Sequence, residues 1–148
     1  MDHTVLVDTS VLVQFLRGEE NRKVSLFETI IKDEIPFGIS TYTYAEVLQG
    51  ARDDAEHEQL DEYLRSQIMF SPKPGRETFR EAATIFYKLK KQGFTLRCLV
   101  DVLIALTAIH NNLHLLHNDK DFELMKTAES RLSTLLEILW AYWVTAND

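Results

Sequence analysis

Thr4-Val5-Leu6-Val7-Asp8-Thr9-Ser10-Val11-Leu12 is the stretch whose reading decides the fold. Aliphatic and β-branched residues run into a carboxylate, two hydroxyls follow, and an apolar helical pattern begins at once. A strand buried on both faces of a parallel sheet reads as such a continuous apolar run. Open α/β sheets take their ligands beyond the carboxyl ends of the strands. Asp8 is therefore expected at the rim of such a crevice. The same grammar recurs where Leu99-Val100 leads into Asp101 and a helix, and where Leu115-Leu116-His117-Asn118 leads into Asp119. Three acids placed alike and far apart along the chain predict one site.

Outward from that stretch, strands and helices alternate. A helix is expected over residues 10–17, with Thr9 or Ser10 as its cap and Gly18 as its stop. A second covers 21–34, where Val24, Phe27 and Ile31 recur at helical spacing before Pro36. Residues 37–40 read as a second strand, and 41–67 as one long helix or two, with polar 53–58 the place for a break. Residues 68–70 are a third strand, closed by the turn cluster 71–75. The helix over 77–92 is read with Phe79, Ala82, Ala83, Phe86 and Leu89 on one face. Residues 101–111 are apolar on nearly every side, which predicts a helix in the middle of the fold. A fourth strand at 114–117 and a short helix at 120–128 follow. Strands alternating with helices, without a hairpin signal, predict an α/β sandwich, a parallel sheet of four to five strands with helices on both faces. The 148 residues are expected to form a single domain, 1–148.

Composition narrows the function. No stretch reaches the roughly 18 to 20 apolar residues of a membrane span, and Met1-Asp2-His3 begins without a basic signal region. With one cysteine, Cys98, no internal disulfide can form, and a cytoplasmic location is expected. The formal net charge of −7 excludes binding of nucleic acid through a broad basic surface. A cation trapped by acids would reverse the sign locally.

Each acid also has a purely structural reading. Asp8 and Asp101 fit helix caps or first-turn acids, Asp119 fits a turn, and Thr43-Tyr44-Ala45-Glu46 is a formal capping box. Together they say more. Glu46 lies one helical turn after the second strand, so all four acids face one rim, where they would repel one another unless a cation sat among them. Hard oxygen ligands suit Mg²⁺ or Mn²⁺. Such a site hydrolyses phosphodiesters without a nucleophilic side chain. His110, His114 and His117 cross the end of a helix at Asn111-Asn112 and do not make a zinc site. Cys98 reads as a buried small residue.

Val-Asp-Thr-Ser-Val-Leu at 7–12 resembles the opening of PIN-domain proteins. The resemblance continues through Tyr44-Ala45-Glu46-Val47-Leu48-Gln49-Gly50-Ala51-Arg52, Asp101-Val102-Leu103-Ile104-Ala105 and Asn118-Asp119-Lys120-Asp121-Phe122, in order. The Glu-Val-Leu-Gln-Gly-Ala-Arg block looks most like the VapC branch, the ribonuclease toxins of toxin–antitoxin pairs. The resemblance implies a PIN-like three-layer sandwich and Mg²⁺- or Mn²⁺-dependent endoribonuclease activity. It implies Asp8 and Asp101 as primary metal ligands, with Glu46 and Asp119 completing the catalytic set. Thr9 or Ser10 would be the hydroxyl near the metal, and Asp121 the substitute for Asp119. It also implies a VapB-like antitoxin that docks in the site groove. This chain departs from the pattern at His117, where relatives carry Thr before the Asn-Asp pair.

Arg52, Arg97 and Lys120, each close in sequence to a site acid, are the expected RNA contacts. Trp140, Tyr142 and Trp143 are expected to pack in the core or at an interface, and a homodimer is expected. The alternatives are a PIN nuclease of RNA processing without an antitoxin, and a receiver or phosphatase. Ser10 removes the second acid a phosphatase needs two residues after the first.

Overall fold

The computed structural model describes residues 4–135, so the aromatic tail lies outside the described residues. In chain order the elements are β1 (Val5–Val7), α1 (Thr9–Leu16), α2 (Arg22–Lys32), β2 (Phe37–Ser40), α3 (Thr41–Gln49) and α4 (Asp54–Arg65), followed by β3 (Met69–Phe70), α5 (Arg76–Lys91), α6 (Leu99–His110), β4 (His114–Leu116) and α7 (Lys120–Ala128). Among the described residues the strands form one parallel sheet in the order β3-β2-β1-β4. The chain steps from β1 to β2 to β3 in one direction, then crosses to the other side of β1 to lay down β4. That reversal opens a crevice beyond the ends of β1 and β4, where α/β sheets bind ligands.

The strands send alternate side chains to opposite layers. Leu6 and Leu115 pack with Leu89 of α5, Ile104 of α6 and Phe122 of α7. Val5, Val7, Ile39 and Leu116 pack on the other face with Leu12 of α1, Phe27 and Ile30 of α2 and Leu64 of α4. The result is the three-layer α/β sandwich expected from the pattern, with the run Val102 to Ala108 of α6 buried throughout. Beyond α7, Leu115 N–H donates to the Ser133 carbonyl at 2.9 Å and Leu115 pairs in parallel with Thr134, which covers the outer side of β4.

Gly38 shows how closely the strands are fitted. A Cβ there would come within 2.6 Å of both the Ile68 carbonyl oxygen and the Phe70 ring, so no larger residue fits without moving β3.

Several local expectations are corrected. Leu99 and Val100 form no strand; they are the first turn of α6, which places Asp101 inside that turn rather than after a strand. The cap of α1 is Asp8 and not Thr9 or Ser10. Ser40 caps α3 by accepting from Thr43 N–H at 2.9 Å, so the Thr43–Glu46 capping box does not form and Glu46 is released for another contact. The long segment divides at residues 50–53, with Asp53 capping α4, just ahead of the polar stretch where a break was expected. The buried face of α5 is Thr78, Ala82, Ile85 and Leu89, which leaves Phe79 exposed. Aromatic residues had pulled the expected face round by about one position.

Candidate metal centre

The β1–α1 turn, the β4–α7 turn, α3 and α6 each bring an acid to the crevice. At the end of β1, Asp8 is buried, and its Oδ2 accepts from Ser10 N–H at 3.0 Å and from Ser10 Oγ at 2.6 Å. Capping occupies only that oxygen; Oδ1 is buried without a hydrogen-bond partner. Ser10 Oγ also accepts from Asn118 N–H at 3.0 Å, and Asn118 donates from its side chain to Gln14 Oε1 at 2.9 Å. These bonds tie the β1–α1 turn to the β4–α7 turn. At the end of β4, Asp119 caps α7, its Oδ1 accepting from Asp121 N–H at 3.0 Å.

On α3, Glu46 is exposed and its Oε1 accepts from Thr9 Oγ1 at 2.8 Å. Behind Thr9 stands Thr43 Oγ1 at 3.0 Å and, 3.1 Å further, Ser40 Oγ. A row of hydroxyls, buried at Ser40 and Thr43 and half-buried at Thr9, thus links the end of β2 to the carboxylate. Thr9 and Ser10, expected as hydroxyls near a metal, each donate to one acid, Thr9 to Glu46 and Ser10 to Asp8.

Asp101 is the centre of the group. Loss of hydration, the largest cause, raises its carboxyl from 3.8 to about 7, and the charges of Asp8, Asp119, Glu46 and Asp121 push the same way. Four acids from three other segments therefore act on one. The tightest grouping is Asp101, Asp119 and Asp121, each offering an oxygen within 4.8 Å of the others. Asp8 and Glu46 stand outside that triplet. Asp121, ranked below Asp119 from sequence, is a full member and is buried. For Asp8 burial is again the largest cause, lifting its carboxyl from 3.8 to about 6, against the lowering effect of its Ser10 hydrogen bonds.

This donor set fits a small divalent cation. Mg²⁺ and Mn²⁺ bind oxygen at about 2.0 to 2.2 Å, so their ligand oxygens lie about 3 to 4 Å apart, which the 4.8 Å limit on the triplet accommodates. An unpaired buried carboxylate oxygen is costly, and a cation relieves it.

The expected RNA contacts are placed differently from one another. Arg97 reaches into the acid cluster: its Nη2 donates to Asp119 Oδ1 at 2.8 Å and its Nε to Asp121 Oδ2 at 3.4 Å. Arg52 pairs with Glu56 at 2.7 Å on the wall of an open groove of about 840 Å³ that starts at Glu46 and runs past Val13, Arg17 and Tyr63. Lys120 is exposed in the first turn of α7. The ionic role of Arg97 was missed from sequence; its only signal is a lone cation between Leu96 and Cys98, four residues before Asp101. The three histidines turn to separate partners, His110 to Glu81, His114 to Ser133 and His117 to Glu123.

Comparison with known proteins agrees with this architecture. The family model described as PIN domain matches residues 5–127. A VapC ribonuclease of Mycobacterium bovis is 27% identical over 122 residues, covering 82% of this chain and 90% of the relative. Ribonuclease VapC11 of Mycobacterium tuberculosis matches to the same extent, 27% over 122 residues. Among solved structures, VapBC-1 from nontypeable Haemophilus influenzae superposes with a TM-score of 0.66 at 20% identity, over 88% of this chain and 96% of that one. VapBC2 from Rickettsia felis, bound to a DNA fragment from its promoter, superposes with a TM-score of 0.64 at 18% identity, again over 88% and 96%.

Proposed function

The chain belongs to the PIN-domain family, and from that premise we propose that it is a divalent-metal-dependent endoribonuclease, the toxin of a toxin–antitoxin pair. What supports this reading most is the gathering of Asp8, Glu46, Asp119 and Asp121 about Asp101, with one buried oxygen of Asp8 left unpaired. The names of the curated relatives, VapC ribonucleases covering most of this chain, support the substrate class. The neighbours solved as VapBC complexes support a VapB-like antitoxin as partner.

In this reading Asp8 and Asp101 are the primary ligands of Mg²⁺ or Mn²⁺, with Glu46, Asp119 and Asp121 completing the site. When bound, the divalent ion supplies Lewis acidity, which offsets charge developing on the phosphoryl oxygens and makes water a better nucleophile at neutral pH. The chain's own residues do the rest. Ser10 holds Asp8 by one oxygen and so presents the other. Thr9 fixes Glu46 at the mouth of the groove, where Arg17 and Arg52 offer cations to a phosphate backbone. Lys120 does the same beside Asp119. The low count of such cations in an acidic protein makes RNA binding weak and dependent on the ion.

The antitoxin docks in the same groove, so RNA and partner exclude each other. A homodimer belongs to this reading as well, with exposed Phe79 and Tyr87 of α5 as apolar surface it would cover. Among the described residues no helix is long and apolar enough to cross a membrane, which agrees with a cytoplasmic site of action.

The test is digestion of RNA by the purified protein with Mg²⁺, with EDTA, and with Asp101→Asn. Cleavage by the wild type only, lost with EDTA and with the substitution while circular dichroism is unchanged, is the expected result. Undiminished cleavage by Asp101→Asn would remove the proposed role.

A further inference from the structure

Arg97 is held to the acid cluster at three points. Its backbone N–H and its Nε both donate to Asp121 Oδ2 at 3.4 Å, and its Nη2 donates to Asp119 Oδ1 at 2.8 Å. Two of the three acids that converge within 4.8 Å are therefore bridged by one guanidinium from the loop before α6. The Arg97 side chain is otherwise 70% exposed, so those carboxylates are what hold it. A guanidinium and a divalent ion compete for the same kind of oxygen, one offering a planar fork of N–H groups and the other a compact charge.

We propose that Arg97 is a resident counter-cation of this site, which a divalent ion must displace to use Asp119 Oδ1 and Asp121 Oδ2. The inference rests on the reading that the acid cluster takes a divalent ion. Without the ion, Arg97 offsets the mutual repulsion of the acids and keeps the β4–α7 turn in register with the loop before α6. Releasing it costs little, because the freed side chain passes into water and the backbone bond to Asp121 remains. The price of the arrangement is weaker ion binding than the acids alone would give. An exposed ion pair is a modest competitor. Removing the guanidinium is accordingly expected to tighten ion binding about fivefold rather than by orders of magnitude.

Titration of Mn²⁺ into the full chain, followed by electron paramagnetic resonance, tests this with wild type, Arg97→Met and Lys120→Met. Lys120 is exposed beside Asp119 and measures the effect of losing one nearby positive charge. The expected result is binding about fivefold tighter for Arg97→Met and changed by no more than about twofold for Lys120→Met. Equal tightening in both variants would mean that net charge alone acts, and weaker binding by Arg97→Met would mean that Arg97 only positions the acids; either overturns the proposal and leaves the metal reading standing. No Mn²⁺ binding by any of the three overturns both. In wild type, the ¹⁵N–¹H signal of Arg97 Nε is expected to shift on Mg²⁺ addition. A signal unmoved at saturating Mg²⁺ would also overturn the proposal.

Discussion

Replacing Asp8 by Asn should stabilise the protein in the absence of divalent ions. Asp8 is only 3% exposed, and burial lifts its carboxyl from 3.8 to about 6. Between those values the folded protein holds the proton more tightly than the unfolded chain does. Stability therefore falls as pH rises through that window. The contribution is complete below pH 3.8 and lost once pH passes about 6; the Asp101 carboxyl, raised to about 7, extends the decline. At pH 7.5 the ionised Asp8 carboxylate costs at most about 3 kcal/mol relative to the unfolded chain. An asparagine removes the charge while its side-chain oxygen keeps the Ser10 bonds. Its amide group needs a partner, which takes back about 1 kcal/mol. A net gain of about 2 kcal/mol corresponds to a Tm higher by roughly 4–8 °C for a chain of this size.

Thermal unfolding in EDTA from pH 5 to 8, wild type against Asp8→Asn, measures this directly. Glu81 and Glu129, held below the ordinary range for carboxylates, act in the opposite sense, but only at lower pH. The wild type should lose stability across the range and the variant should lose less, so the two curves diverge as pH rises. Saturating Mg²⁺ should raise the wild-type Tm and leave the variant nearly unmoved. A variant no more stable than wild type at pH 7.5, with the same slope, would refute the reasoning.

Thr9→Val removes the hydroxyl on Glu46 at nearly constant volume. It should lower RNA cleavage about 10- to 100-fold, as loss of an orienting group beside a metal ligand does, and Thr9→Ser should restore most of it in single-turnover assays. Gly38→Ala should destabilise the fold by about 1 to 3 kcal/mol in urea unfolding, since the added methyl overlaps the Ile68 carbonyl and the Phe70 ring.

The sheet was legible because its strands are short, apolar and separated by helices. The 37–40 strand and the 120–128 helix fall where the pattern put them. What could not be read was the local competition for backbone donors. Ser40 and Thr43 both satisfy the preference for a cap; the choice of Ser40 depends on where β2 ends, a matter of pairing with distant segments. Leu99-Val100 is apolar enough for a strand, yet it opens α6, and a two-residue apolar run carries no period to tell the two apart. On α5 the small Thr78 faces inward and the large Phe79 outward, which only the neighbouring helices decide.

The site was partly legible for a related reason. Asp8 and Asp119 are helix caps, and in the proposed function they serve as site acids as well, because a cap uses one carboxylate oxygen and leaves the other. The structural and functional readings of those residues were never exclusive. The pairing of Arg97 with Asp119 and Asp121 could not be foreseen, because these partners lie 22 and 24 residues away, across a turn that no sequence period describes.

Crystals soaked in Mn²⁺ and measured for anomalous scattering at the manganese edge put the account to its most direct trial. A peak bonded to Asp8 Oδ1 and to Asp101, with Asp119 or Asp121 beside it, is the result expected. A fully occupied manganese elsewhere on the surface, with those oxygens untouched, would contradict it.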